Sequence, residues 1–219
     1  MLPSNRDEHL NRLFTQLVSY KGDGAFNQYR DHDPALDQPE GAAIRLQNLR
    51  RYLDAFATAS YLLIGEAAGY AGCRFSGIPF TGEVQIVGQE CLAWARGLDM
   101  RQSSRDELWR ERSGQIVWET LGDRRDCVLW NTFPWHPYGD KPLSNRKPTR
   151  HELEACTEVL RCALGLFPQA KVYAIGRVSQ ATLGRLGVDA PYIRHPSHGG
   201  KPRFVAGVTA LPRRDLGPT

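Results

Sequence analysis

The sequence SYLLIGE, at residues 60–66, is a short apolar run bounded by a glycine, a pattern typical of a buried strand. Three later runs share this character: CVLWN at 127–131, KVYAIG at 171–176 and APYIRHP at 190–196. Helical patterns lie between the four runs, at about 83–98, 104–121, 149–166 and 177–187. Strands that alternate with helices predict an α/β fold: a three-layer α/β/α sandwich with a central, mainly parallel four-stranded sheet.

The segment before the first strand predicts a helix, a connection and a second helix. Residues 6–20 place apolar side chains at spacings of three and four, as an amphipathic helix does. Residues 21–41 are rich in Gly, Asp, Pro and Gln and predict an extended surface connection. The second helix is predicted from about Ile44 to Ala57.

Length and composition favour an ordinary globular domain. With 219 residues the chain can bury one core, so we expect a single domain over 1–219, with residues 1–43 as its N-terminal helix and connection and 212–219 as a frayed tail. No apolar run approaches the roughly 20 residues that a membrane span needs. The first residues are polar and charged, so we expect an intracellular monomer that is not secreted.

Five cysteines with irregular spacing fit reduced thiols better than a disulfide framework. They contain no CxxC pair, and we expect neither a metal site nor a cofactor. The net charge of +4 permits nucleic-acid binding without requiring it. Arginines and lysines cluster at 45–51, 141–150, 201–203 and 213–214.

Chemistry-bearing residues follow the predicted strands directly. The first strand runs into a glycine-rich loop, GEAAGYAGCRFSGIPFTGE at 65–83, the second ends in Asn131, and the fourth ends in His195-Pro196-Ser197. In open parallel sheets, ligands bind outside the carboxyl ends of the strands. These three segments are therefore predicted to form one site.

Taken in this order, the three segments resemble the site motifs of the uracil-DNA glycosylase superfamily, over about residues 60–210. The resemblance implies that the backbone amides of Glu66 and Ala67 line the pocket for uracil O2 and that Phe80 stacks on the base. Asn131 would hydrogen-bond the O4 and N3 edge, and His195 would donate a hydrogen bond to O2. Ser197, in the same motif, is expected in the pocket as well.

The chemistry explains why such residue types are needed. Uracil in a duplex must be extruded before its glycosidic bond can be reached, and it is then held by stacking and edge hydrogen bonds. The segment that follows, SHGGKPR at 197–203, is the predicted backbone clamp and the source of the side chain inserted into the vacated stack. We expect Arg203 or His198 to insert and Lys201 to contact phosphate, with Gly199 in the same turn.

Two positions depart from the best-known branch of the superfamily. Where that branch has an aspartate that positions the attacking water, this chain has Ala67, and the alternatives for handling water are Glu66 and Glu83. Where that branch has a tyrosine that excludes the methyl group of thymine, this chain has Gly69.

Tyr70 could supply the missing wall, while Phe75 competes for that place and for stacking on the base. The chain also lacks cysteines before Cys73, so the iron–sulfur cluster of one related branch is not expected. His136, between Trp135 and Pro137, is expected to be packed rather than catalytic.

The predicted function is a monofunctional uracil-DNA glycosylase that acts on uracil-containing DNA, single- or double-stranded. Two alternatives stay open. The first is a glycosylase for another deaminated base, such as hypoxanthine or xanthine, because Gly69 could widen the pocket. The second is a non-catalytic binder of uracil-containing or single-stranded DNA, because Ala67 carries no carboxylate.

Overall fold

The computed structural model describes residues 5–213. Its strands are β1 (Ala25–Phe26), β2 (Tyr61–Ala67), β3 (Cys127–Phe133), β4 (His136–Pro137), β5 (Lys171–Ile175) and β6 (Tyr192–Ile193). Its helices are α1 (Asn5–Ser19), α2 (Gly41–Ala55), α3 (Cys73–Ser76), α4 (Arg112–Leu121), α5 (Arg150–Ala155), α6 (Thr157–Gly165), α7 (Arg177–Arg185) and α8 (Lys201–Thr209), with a 3₁₀ turn at Glu83–Gln85.

A four-stranded parallel sheet lies at the centre, in the order β3-β2-β5-β6, with helices around it. This arrangement confirms the predicted α/β fold. All seven residues of β3 are buried, which explains why its sequence is a nearly continuous apolar run. Within residues 5–213, no helix is both long and apolar enough to cross a membrane.

Strand β3 lies at the edge of the sheet, and a helix covers its open side. The hydroxyl of Tyr52, on α2, accepts a hydrogen bond from the backbone N–H of Leu129 at 2.7 Å. Tyr52 is fully buried. The hydroxyl thus occupies a backbone donor that a further strand would otherwise pair.

The connection at 21–41 was predicted to be extended and on the surface, and this prediction is wrong. Strand β1 within it pairs with β4, and the Asp37 side chain is fully buried. Asp37 forms ion pairs with Arg45 at 3.1 Å and with Arg74 at 2.8 Å. The polar residues of this segment therefore fix it against the glycine-rich loop, and Arg45 is not available to DNA.

The helix predicted at 83–98 is absent, because the chain makes turns there, with Gly88 and Gly97 at φ of 81° and 80°. The helix predicted at 104–121 begins only at Arg112, because Ser104 is tied to Glu83 by its N–H and its hydroxyl. The pattern at 149–166 forms two helices that meet at Cys156. The tail predicted from 212 lies beyond the described residues except for its first two.

Candidate functional site

The carboxyl ends of β2 and β3 bring an aromatic ring and an amide together at Gly65. Gly65 is opposite Asn131 in the strand register. A Cβ at Gly65 would lie 2.2 Å from Cζ of Phe80 and 2.8 Å from Oδ1 of Asn131. Only a residue without a side chain permits this approach, so the glycine is required by the geometry of the site.

Phe80 adopts a strained backbone conformation. Its φ is 55°, in the left-handed region that bulky residues rarely enter, at a cost of about 1–3 kcal/mol. Neighbouring groups hold it there: the hydroxyl of Thr81 accepts a hydrogen bond from Nε1 of Trp118 at 3.0 Å. Gly114 allows α4 to pack against the Phe80 carbonyl, since a Cβ at Gly114 would lie 2.1 Å from that oxygen. The strain aims the ring at the sheet end.

Asn131 carries a free hydrogen-bond acceptor in the interior. The residue is 1% exposed, and its Oδ1 has no hydrogen-bond partner among the described residues. Leaving a buried polar atom unpaired costs about 1–3 kcal/mol. Such an acceptor, beside the Phe80 ring, is suited to an N–H group at the edge of a bound planar molecule.

His195 follows β6 and faces the same place. Its ring centroid lies 5.9 Å from that of Phe80. Its Nδ1 accepts the backbone N–H of Ser197 at 3.2 Å and lies 2.8 Å from the Ser197 hydroxyl. Because Nδ1 acts as an acceptor, the proton of the neutral ring is on Nε2, which can donate to a ligand.

The imidazole is held in its neutral form. Burial lowers the pKa of His195 to about 4, and the charges of Arg194 and His198 act in the same direction. The side chain is therefore a neutral hydrogen-bond donor at physiological pH. Ser197, which was predicted to contact the base, contacts this histidine.

The turn after His195 is tightly built. A Cβ at Gly200 would lie 2.0 Å from the His195 carbonyl oxygen, so a residue with a side chain would displace the backbone at this position. His198 and Gly199 form an exposed tip with φ of 49° and 72°. The chain then enters α8, which the sequence analysis did not predict, with Pro202 in its first turn, where proline is well tolerated.

The basic residues of the predicted clamp lie on the surface beside this tip. Arg203 is exposed, and Lys201 forms an exposed ion pair with Glu119 at 3.2 Å. Elsewhere, Arg146 is occupied within the protein by Glu152 at 2.7 Å. The contacts of His198, Gly199, Lys201 and Arg203 with DNA stay predictions.

Glu66 is separated from the site by strand geometry. Successive side chains of a strand point to opposite faces, so Gly65 and Ala67 share the face of Asn131 and Glu66 points away from it. Burial raises the pKa of Glu66, and Lys147 opposes this effect. The prediction that the Glu66 carboxylate is catalytic disagrees with this placement, and the roles of the Glu66 and Ala67 backbone amides stay predictions.

Glu83, the other residue predicted to position the water, uses both of its carboxylate oxygens in hydrogen bonds with residues 103–109. Its Oε1 accepts the backbone N–H groups of Ser103 at 2.7 Å and Ser104 at 3.0 Å. Its Oε2 accepts the Ser104 hydroxyl and the N–H of Trp109 at 3.3 Å. Glu83 is fully buried, and its carboxylate organises the chain at 103–109.

Tyr70 and Phe75, the two aromatic residues predicted to replace the methyl-excluding tyrosine, both contact Trp109. Phe75 is fully buried, with its ring stacked on Trp109 at 4.4 Å and the Arg74 guanidinium at 4.3 Å. This arrangement disagrees with the prediction that Phe75 stacks on a base. Tyr70 is partly exposed, its N–H donates to Oδ1 of Asn145, and its ring is edge-on to Trp109.

Glu111, which precedes α4, was not predicted from the sequence as a site residue. Its Oε2 is buried and has no hydrogen-bond partner in the part of the chain that the structure describes. A Cβ at Gly72 would lie 1.7 Å from this oxygen, and a Cβ at Gly69 would lie 3.3 Å from Oε1. Burial raises the pKa of Glu111 to about 7. The surrounding sequence, RERSG, gives no sign of this burial.

His136 is a packed residue, as predicted. It is fully buried, and its two ring nitrogens lie 3.1 Å from the carbonyl oxygens of Ala68 and Pro142. Among residues 5–213, no three His, Cys, Asp or Glu side chains are grouped in a way that could hold a metal ion.

Comparison with known proteins gives three similarities. The family described as the uracil DNA glycosylase superfamily matches residues 53–211. The Type-5 uracil-DNA glycosylase of Thermus thermophilus is 31% identical over 144 residues, which are 64% of this chain and 58% of that protein. The crystal structure of SMUG2 from Pedobacter heparinus has a similar fold, with a TM-score of 0.59 at 12% identity, covering 92% of this chain and 96% of that one.

Proposed function

Because the chain belongs to the uracil DNA glycosylase superfamily, we propose that it is a DNA glycosylase that removes uracil from DNA by hydrolysis of the N-glycosidic bond. The observation that carries the proposal is the unpaired Oδ1 of Asn131 beside the Phe80 ring. The chain spans 58% of the length of the curated relative that it matches.

Base recognition follows from the donor and acceptor pattern of Asn131. Oδ1 accepts the N3–H of uracil, and the amide nitrogen donates to O4, while the base stacks on Phe80. Cytosine offers an acceptor at N3 and an amino group at C4. Its N3 would therefore face the acceptor Oδ1, and its amino group would face the amide nitrogen, which is also a donor. Discrimination by a paired amide contact is worth about 1–3 kcal/mol.

Hypoxanthine is the second candidate base. Its N1–H and O6 present the same donor and acceptor pattern as N3–H and O4 of uracil. Gly69 stands where the best-known branch has a tyrosine, but the Glu111 carboxyl group lies over it, so the donor and acceptor pattern alone supports this base. The two bases are separated by the experiment below.

His195 acts on the leaving group. When the bond between C1′ and the base breaks, the electron pair goes to the base, and negative charge accumulates at O2. The neutral imidazole donates its Nε2–H to this oxygen and remains a donor because its Nδ1 is occupied by the Ser197 N–H. A fixed donor aimed at developing charge lowers a barrier by roughly 3–4 kcal/mol.

DNA would contact the exposed tip at His198 and Gly199 and the start of α8. Lys201 can leave Glu119 for a phosphate at small cost, because exposed ion pairs contribute about 0–1 kcal/mol. Arg203 is exposed on the same helix. DNA affinity would then fall with rising salt, as phosphate contacts require.

The test uses an end-labelled oligonucleotide with one uracil, thymine or hypoxanthine, followed by alkali to cut at abasic sites. Cleavage at uracil by the wild type, with a loss of about tenfold or more in Asn131→Ala, supports the proposal. His151→Ala, an exposed histidine on α5, is the control for a mutation outside the site. Tight binding of uracil-containing DNA without release of the base would contradict the proposal and favour a non-catalytic binder.

A further inference from the structure

The proposed reaction needs a group to hold the attacking water, and the chain has Ala67 at the position expected for it. The carboxyl groups in or beside the glycine-rich loop include those of Glu66, Glu83, Asp37 and Glu111. Ion pairs with Arg45 and Arg74 occupy Asp37. Strand alternation directs Glu66 to the other face of the sheet. Four hydrogen bonds to residues 103–109 occupy Glu83. Glu111 is left with an oxygen that can accept a proton.

Glu111 lies between the two ends of the loop that forms the site. Its carboxyl group fills the space over Gly69 and Gly72, where a Cβ at Gly72 would lie 1.7 Å from Oε2. Its backbone packs on Gly82, where a Cβ would lie 2.8 Å from the Glu111 nitrogen. Gly69 is two residues beyond Ala67, and Gly82 is two residues beyond Phe80.

Gly69 and Gly72 therefore leave room for the Glu111 carboxyl group, and Gly82 leaves room for the backbone of residues 109–111. A side chain at position 72 would displace its carboxyl group, and one at position 82 would displace its backbone. The buried Oε2 has no partner among residues 5–213, a state that it shares with Oδ1 of Asn131 and Oε1 of Gln28. Buried acceptors are normally paired, and this one lies against Gly69 and Gly72 of the loop that forms the site, where it can accept a hydrogen bond from a bound water.

We propose that the Glu111 carboxylate binds the water that attacks C1′ of the extruded nucleotide and accepts its proton. This inference rests on the proposed function. The C1′–N bond breaks and its electron pair leaves with the base, while the water oxygen bonds to C1′. One water proton goes to Oε2 of Glu111 and is passed on to the departing base, so the products are the abasic sugar and the neutral base.

The first test is Glu111→Gln, which keeps the shape of the side chain and removes the charge. Single-turnover excision of uracil and affinity for the same oligonucleotide are measured separately, together with thermal unfolding at pH 8. We expect excision to slow by about a hundredfold or more, as loss of a general base does, with little change in affinity. Glu107→Gln, an exposed glutamate in the preceding segment, is the matched control and should behave as wild type.

Three outcomes would overturn the inference. The first is wild-type excision by a folded Glu111→Gln protein. The second is an unchanged rate on uracil with new release of thymine, which would make Glu111 a wall of the base pocket. The third is a lost rate accompanied by a lower unfolding temperature, which would make its role structural.

Failure of the proposed function looks different. In that case the wild type itself releases neither uracil nor hypoxanthine, and this inference falls with it. An active wild type with an equally active Glu111→Gln protein refutes the inference alone.

Discussion

The backbone N–H of Ser197 donates a hydrogen bond to Nδ1 of His195 at 3.2 Å. Because this donor belongs to the main chain, it fixes the proton of the neutral imidazole on Nε2 whatever side chain stands at 197. The Ser197 hydroxyl lies 2.8 Å from the same nitrogen.

We therefore expect different losses from the two residues. His195→Ala should slow uracil excision by about a hundredfold or more, the effect of removing one preorganised donor. Ser197→Ala keeps the backbone hydrogen bond and should slow excision by less than about tenfold. Single-turnover rates on a uracil oligonucleotide measure both. Equal losses in the two variants would mean that the hydroxyl, rather than the main chain, orients the ring.

The pH dependence of the reaction distinguishes two ionisable groups. Burial raises the pKa of Glu111 to about 7 and lowers that of His195 to about 4. A carboxylate that accepts a proton must be ionised, so the excision rate should rise with pH through about 7 while the histidine stays neutral. The Cys73 thiol, which interacts with Glu111, has its own pKa raised to about 12 by burial and stays protonated.

Excision rates between pH 5 and 9 check this expectation. Glu111→Gln should show a flat profile over the range in which the wild type rises. A wild-type rise that persists unchanged in the variant would assign the titration to another group.

Stability should depend on pH through the same carboxyl group. The pKa of Glu111 is about 7 in the folded protein against 4.5 for the unperturbed group, so the folded state binds the proton more tightly. Its contribution is therefore favourable at low pH and is lost as pH rises from about 4.5 to 7. The difference corresponds to about 3 kcal/mol above pH 7.

Denaturant unfolding of wild type and Glu111→Gln at pH 4.5 and pH 8 measures this effect. We expect the free energy of unfolding of the variant to exceed that of the wild type more at pH 8 than at pH 4.5. The low-pH titration of His195 is common to both proteins and cancels in the difference. A difference that is the same at both pH values would contradict the assignment.

The close approach at Gly65 predicts the effect of a single methyl group. Gly65→Ala would place a Cβ 2.2 Å from the Phe80 ring and 2.8 Å from Asn131 Oδ1, so excision should fall by about tenfold or more through displacement of both groups. Gly184→Ala is the control, since it lies exposed within α7 and its Cβ would have no neighbour within 4 Å. Alanine at 184 should leave excision unchanged and raise stability by up to about 1 kcal/mol.

Much of the fold could be predicted from the sequence, because parallel strands buried on both faces appear as continuous apolar runs. The strands β2 and β3 begin and end within two residues of their predicted bounds. The helical turns predicted at the start of 104–121 are absent, because hydrogen bonds from side chains determine the backbone conformation there. Glu83 binds three main-chain N–H groups of residues 103–109, and this loop replaces the predicted helical turns.

The candidate site likewise contains residues that could be predicted from the sequence and one that could not. Asn131 and His195 were predicted from their positions at strand ends and Phe80 from the resemblance to the superfamily, and the structure brings the three together. Glu111 has no such position: it stands among charged residues before a helix, where a solvated side chain is the ordinary outcome. Its burial depends on Gly69 and Gly72, which are about forty residues away in the sequence and gave no signal by themselves.

A substitution at Ala67 tests whether Glu111 takes the role of the aspartate that the best-known branch has at this position. Its side chain lies on the face of β2 that carries Gly65 and faces Asn131. If Glu111 supplies the carboxylate that this position lacks, then Ala67→Asp in the Glu111→Gln background should restore excision by about fivefold or more relative to Glu111→Gln alone, because a correctly placed base contributes about a hundredfold or more. Ala67→Asn in the same background, which adds similar bulk without charge, should restore nothing. Equal rates for the aspartate and asparagine variants would show that charge at this place does not assist the water, and the assignment of Glu111 would lose its chemical basis.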